Sequence, residues 1–174
     1  MPVAPKLDLD LMVDLETLGR RPGCKLLSIG AAFFNPLRGE IGRQLYLVIR
    51  RSSQDAFGLH EDPETLAWWE RQSDGARKVL SAATSESPKK NVTLQRGLSE
   101  LTKFAHWDGA GQRTLRVWGC GSDFDCSILS EAYRAAGLRQ PWEFWNSRCH
   151  RTLKSLGPAL GVEEPDREDR KSVV

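Results

Sequence analysis

Along residues 7–16 apolar and polar positions alternate. Leu9, Leu11, Val13 and Leu15 fall on one face, and Asp8, Asp10, Met12, Asp14 and Glu16 on the other. That period of two predicts a β-strand. The Gly/Pro loop "TLGRRPG" (17–23) leads into a second apolar run, "KLLSIGAAFF" (25–34). A turn cluster, "NPLRGE", separates it from the alternating "RQLYLVIR" (43–50). Three strands in a meander are expected.

Then the period changes. Asp62 and Pro63 suit the N-cap and first position of a helix beginning "PETLAWWERQS". A second helical piece, "GARKVLSAAT", follows, then a surface loop, "SESPKKN", too short to divide domains. Leu94, Leu98, Leu101, Phe104 and Ala105 form a helical stripe. "RTLRVWGCG" reads as a fourth strand, and "FDCSILSEAYRAAG" as a helix closed by Gly137. "PWEFWNSRC" reads as a fifth strand and "HRTLKSLGPALG" as a last helix. The expected fold class is α/β, a mixed five-stranded sheet with helices on both faces. Residues 1–162 are expected to form one domain, with the charged tail 163–174 outside its core.

Composition narrows the classes. A net charge of +2 over 174 residues, with 40% hydrophobic and 28% charged residues, excludes a globally basic nucleic-acid binder. Cys24, Cys120, Cys126 and Cys149 contain no CxxC pair, which argues against a disulfide framework or a zinc site. No apolar run reaches membrane-span length, and "MPVAPKLDLD" lacks the apolar core of a signal peptide. No membrane partner and a cytoplasmic location, in a bacterial cell or phage-infected host, are expected.

The informative residues are acids at the ends of apolar segments. Asp14 and Glu16, two apart on a strand, project from the same face. Held that close they repel unless something positive neutralises them. Hard carboxylate oxygens suit Mg²⁺ or Mn²⁺. The bland alternative, a strand that surfaces into water, is assigned to Asp8 and Asp10. "VWGCGSDFDCSIL" repeats the arrangement, placing Asp123 and Asp125 after Gly119, Gly121 and Ser122, small residues that permit a sharp turn. For Asp125, helix N-terminal placement is the competing explanation.

"VDLETLG" resembles the first motif of the DEDD (DnaQ-like) 3′–5′ exonucleases, and "GSDFDCSIL" their second. "DPETLAWWERQS" and "WEFWNSRCHRTL" are further similar to a small phage and bacterial branch. The resemblance implies an RNase H-like sheet and hydrolysis of phosphodiester bonds at the 3′ end of single-stranded DNA or RNA. The chemistry implied uses two metal ions, Mg²⁺ or Mn²⁺, roughly 3.5–4 Å apart. Asp14 would be the central ligand, with Glu16 and Asp125 on either side. Thr17 and Leu18 would grip the terminal nucleotide, the competing reading being loop and core packing. One of Trp68 and Trp69 should pack in the core while the other stacks on a base. Gln72 and Arg148 are further substrate-contact candidates, with Arg20, Arg21, Lys25 and Arg151 as possible phosphate contacts.

The resemblance is incomplete. Its third motif, His-x-Ala-x-x-Asp or Tyr-x-x-x-Asp near the C-terminus, has no counterpart around His60, His106 or His150, nor in "EEPDREDRKSVV". Three explanations compete: a chain cut short, a displaced ligand at Asp166 or Asp169, or a domain that binds nucleic acid or a protein without turnover. A missing final helix would also bare part of the sheet, which a homodimer could cover. The expected function is a metal-dependent 3′–5′ exonuclease, with a catalytically impaired binding module as its alternative.

Overall fold

The computed structural model describes residues 10–106 and 111–161. Strand β1 (Asp10–Thr17) lies at the centre of a mixed sheet. It runs antiparallel to β2 (Leu26–Asn35) and parallel to β4 (Arg116–Gly119). The edges are β3 (Glu40–Val48), antiparallel to β2, and β5 (Ser147–Cys149), parallel to β4, giving the order β3-β2-β1-β4-β5. The five expected strands therefore form, in the expected meander followed by crossovers. The fifth is shorter than its apolar sequence implied. Trp142 is consumed by the core, Phe144–Asn146 make a turn of 3₁₀ helix, and only Ser147–Cys149 pair.

Among the described residues five α-helices fill the connections, the first three begun by a polar side-chain cap. Asp62 accepts from the Glu64 N–H at 2.9 Å and starts α1 (Pro63–Glu70). Ser73 starts α2 (Asp74–Thr84), and Thr93 starts α3 (Leu94–Ala105). Helix α4 (Asp125–Ala135) is followed by Gly137 at φ +68°, the left-handed residue its C-terminus needs. Helix α5 (His150–Leu156) buries none of its residues. No described helix is long and apolar enough to cross a membrane.

The alternation of β1 now has physical content. Leu11, Val13 and Leu15, with Ile29, Ala31 and Phe33 of β2, pack against α3 and α4 in the main core, where Phe33 meets Phe104 with ring centroids 5.2 Å apart. A smaller cluster of Leu18, Leu27, Trp69 and Ala83 seats α1 and α2 beyond Glu16. A register shift between Glu16 and Thr17 turns the chain there, a bulge that ends the strand beside the acids. The rest of the second face is open. Met12, Ala32, Phe34 and Trp118 are half-buried, while Ile41 and Tyr46 are exposed.

Asp10 corrects one expectation. It is 2% exposed rather than solvated. Its Oδ1 accepts from Arg116 Nε at 2.7 Å and from Trp118 Nε1 at 2.8 Å, and its Oδ2 pairs with Arg116 Nη2. The carboxylate thus fastens β1 to β4 across the sheet, and burial is tolerated because every oxygen has a partner. Asp8 lies outside the described residues. Asp10→Ala should destabilise the fold by about 2–4 kcal/mol in chemical denaturation, since it strands a guanidinium and an indole N–H. A change under about 0.5 kcal/mol would show the pair to be a surface ornament.

Candidate active site

Backbone geometry sets the acids before any side-chain chemistry enters. On β1 the open face carries Asp14 and Glu16. The residue opposite Asp14 on β2 is Gly30, which leaves the space beside the carboxylate free of a side chain. Pairing of β1 with β4 stops at Met12 and Trp118, so the next β1 amide facing that way needs another acceptor. Asp125 supplies it, accepting from the Leu15 N–H at 3.2 Å across 110 residues of sequence.

The turn that delivers Asp125 depends on two glycines. Gly121 adopts φ +112°, which side chains disfavour. At Gly119 a Cβ would lie 2.9 Å from both Cβ and Oδ2 of Asp125, so any larger residue would push the carboxylate out of place. Asp125 is the first residue of α4 and 2% exposed. The residue stands at a helix start, as the competing explanation held, and it lies close enough to the β1 acids for their charges to interact.

Electrostatically the three acids are in debt to one another. Burial, then the charge of Asp14, pushes the Asp125 carboxyl up to about 6 against the relief of its N–H donors. Burial raises Glu16 as well, with Asp14 and Asp125 adding to it, and burial raises Asp14. Among the described residues no basic group offsets any of these shifts. The donor chemistry, three anionic oxygens in a partly dehydrated place, fits a hard divalent cation. The closed cage is not formed. Among the described residues no three acid, imidazole or thiol groups are gathered to hold an ion, and Asp125 directs Oδ1 at the Leu15 amide instead.

Asp14 and Glu16 open into a cavity of about 650 Å³, lined further by Thr17, Arg20 and Phe124, by the α1 residues Glu64, Thr65, Trp68 and Trp69, and by Arg71 at the helix's C-cap. Of the residues expected at the substrate, Thr17 and the two tryptophans are brought there. Trp69 is the core member, 3% exposed, its Nε1 donating to the Thr17 carbonyl at 2.9 Å. Trp68, 48% exposed, stands edge-on to it at 5.1 Å and is the indole free to stack. Leu18 is fully buried in the smaller cluster and cannot wedge against a base. Gln72 returns its amide N–H to the Trp68 carbonyl, and Arg148 donates to the carbonyls of Trp145 and Ser147; neither lines the cavity. Lys25 is tied to Asp55 and Glu61.

Sequence reading missed Glu64, Thr65, Arg71 and Phe124. A signal existed for three of them. Glu64, Thr65, Trp68 and Arg71 recur at helical spacing, so naming Trp68 as the exposed indole would have named the wall around it.

Asp125→Asn keeps an acceptor for the Leu15 amide and removes one charge. In the wild type the unfolded carboxyl ionises near 3.8 and the folded one near 6. Stability from this group is therefore full below 3.8 and is lost as pH rises through 6. Without metal, Asp125→Asn should be about 2 kcal/mol more stable than wild type at pH 7 and equal to it at pH 3.5. Mn²⁺ should raise the melting midpoint of the wild type and leave the variant unmoved. Differential scanning fluorimetry across pH checks both, and equal stability at pH 7 would show the acids to be uncoupled.

Solved structures share this architecture. Product-bound exonuclease I superposes with a TM-score of 0.59 at 15% identity, over 92% of this chain and 34% of that one. The metal-free exonuclease I–ssDNA complex from E. coli gives 0.60 at 14%, over 90% and 32%, and the E. coli complex with a dT13 oligonucleotide 0.57 at 14%, over 92% and 32%. The chain thus spans about a third of the length of these proteins. Identities this low show the fold alone, the RNase H-like fold of exonuclease I. A search of curated proteins returns no match. Residues 9–172 match the family model described as the 3′–5′ exoribonuclease Rv2179c-like domain, and the chain belongs to that family.

Proposed function

We propose that this protein is a metal-dependent 3′–5′ exonuclease that shortens single-stranded RNA in the cytoplasm. The observation carrying the reading is that Asp14 and Glu16 line a nucleotide-sized cavity, with the buried Asp125 near enough for its charge to act on Glu16. The family's description as exoribonuclease supports RNA over DNA, although the exonuclease I structures hold ssDNA. Asp14, Glu16 and Asp125 would hold Mg²⁺ or Mn²⁺, two ions in this proposal. The metal would lower the pKa of an attacking water and stabilise charge on the phosphate. Trp68 supports the terminal base, and Arg20 and Arg71 meet the backbone phosphates.

Among the described residues no histidine lines the cavity. His106 is turned to the Pro141 carbonyl, and His60 lies beyond Arg20 in a neighbouring groove. Asp166 and Asp169 lie outside the described residues, as does the 163–174 tail. The family match runs through both acids to residue 172, which favours a displaced fourth ligand over lost catalysis.

The open sheet face supports a homodimer as well. Phe34 and Trp118 meet there edge-on at 5.8 Å, beside exposed Ile41 and Tyr46 on edge strand β3. A second copy, presenting the same apolar face, would cover it.

Two measurements test these readings. Labelled RNA oligonucleotides with Mn²⁺ should shorten stepwise from the 3′ end. Asp14→Ala should slow this at least about 10²-fold, because a ligand's loss forfeits several kcal/mol of charge stabilisation. Trp68→Ala should raise KM roughly tenfold, since stacking contributes about 1–3 kcal/mol per base. Binding without shortening would favour the non-catalytic module. For the dimer, light scattering should give twice the chain mass, reduced to one chain by Ile41→Lys with Tyr46→Glu.

A further inference from the structure

One wall residue of the cavity breaks a local rule. Elsewhere in this protein helical hydroxyls find backbone acceptors: Ser99 the Gln95 carbonyl at 2.8 Å, Thr84 that of Leu80 at 2.8 Å and Thr102 that of Leu98 at 3.0 Å, each four residues back, and Ser155 that of Thr152 at 2.8 Å, three back. Thr65 does not. It is the third residue of α1, so the carbonyl four back, that of Glu61, lies before the Asp62 cap. Its Oγ1 is buried and finds no hydrogen-bond partner, the one such side-chain atom among the described residues. A β-branched residue lowers helix propensity, and a buried orphan hydroxyl costs about what a lost hydrogen bond does. Thr65 incurs both penalties in the wall of the carboxylate cavity.

Resting on the exonuclease reading, we infer that Thr65 binds the ribose of the 3′-terminal nucleotide through its 2′-hydroxyl and so sets the preference for RNA. Three features select that ligand. Glu64, beside Thr65, is already paired with Arg20 at 2.7 Å, so the group Thr65 itself offers is a neutral hydroxyl, suited to an uncharged sugar rather than a phosphate. A threonine hydroxyl both donates and accepts, as a sugar hydroxyl does. Trp68 lies one turn further along the same helix, while Asp14 and Glu16 line the cavity from β1. A nucleotide spans that order as base, sugar, phosphate, and Thr65 falls at the sugar. Threonine has two accessible χ1 rotamers in a helix, and binding the sugar requires the rotation that brings Oγ1, buried here, to the cavity surface.

The test is calorimetric titration of the full chain, with Mn²⁺, by adenosine 5′-monophosphate and its 2′-deoxy analogue. The wild type should prefer the ribonucleotide about three- to tenfold, the range of one hydrogen bond. Thr65→Val, nearly isosteric, should bring that ratio to about one, and Thr65→Ser should preserve it. Without nucleotide, Thr65→Val should melt no lower than wild type, because it deletes an unsatisfied hydroxyl, which separates lost recognition from misfolding. A ratio unchanged in Thr65→Val, or near one in the wild type, would overturn the inference and leave the exonuclease reading standing. Absence of binding by either nucleotide, with no shortening of RNA or DNA by the wild type, would take down both.

Discussion

The contact on which the site depends is the one between Asp125 and the Leu15 amide. It joins the start of α4 to the middle of β1 just where the β1–β4 ladder runs out. The same carboxylate that closes this backbone gap also stands against Asp14 and Glu16. A structural debt, an unpaired strand amide, and a chemical opportunity, a third acid, are met by one side chain. Its cost is visible in the raised carboxyl, and Gly119 exists as glycine to leave it room.

Around that contact the molecule separates rigidity from reactivity. The face of β1 bearing Leu11, Val13 and Leu15 is sealed under α3 and α4, so the opposite face is held without freedom to drift. Further down the same strand Asp10 is neutralised by Arg116 and Trp118. Asp14 and Glu16 have no such partners. One strand therefore carries a satisfied acid and, among the described residues, an unsatisfied pair on one face. Unpaired charge at a cavity mouth is a functional signal of greater weight than acidity alone.

The α1 wall shows the same division. Trp69 is anchored in the smaller core by the Thr17 carbonyl, and it fixes Trp68, one residue before it, at the cavity's edge. Glu64, Trp68 and Arg71 fall on one side because helical geometry repeats every three to four residues. Leu18, at the root of this wall, is spent entirely on packing, which is why its expected contact with a base does not exist.

Periodicity and punctuation were enough to find the five strands, the Asp62–Pro63 start of α1, the Gly137 end of α4 and the two acid sets, because each is a local pattern written in neighbouring residues. The match in fold class rests on that. Local pattern could not tell Asp10 from Asp14, since alternation puts both on one face; only the pairing of β1 with β4, more than a hundred residues away, gives Asp10 its arginine. Nor could it divide Trp68 from Trp69, sort Arg148 and Gln72 away from the cavity, or place Thr65 in its wall. Those outcomes turn on which groups from distant segments share a dehydrated space, and proximity of that kind is created by packing rather than by sequence spacing.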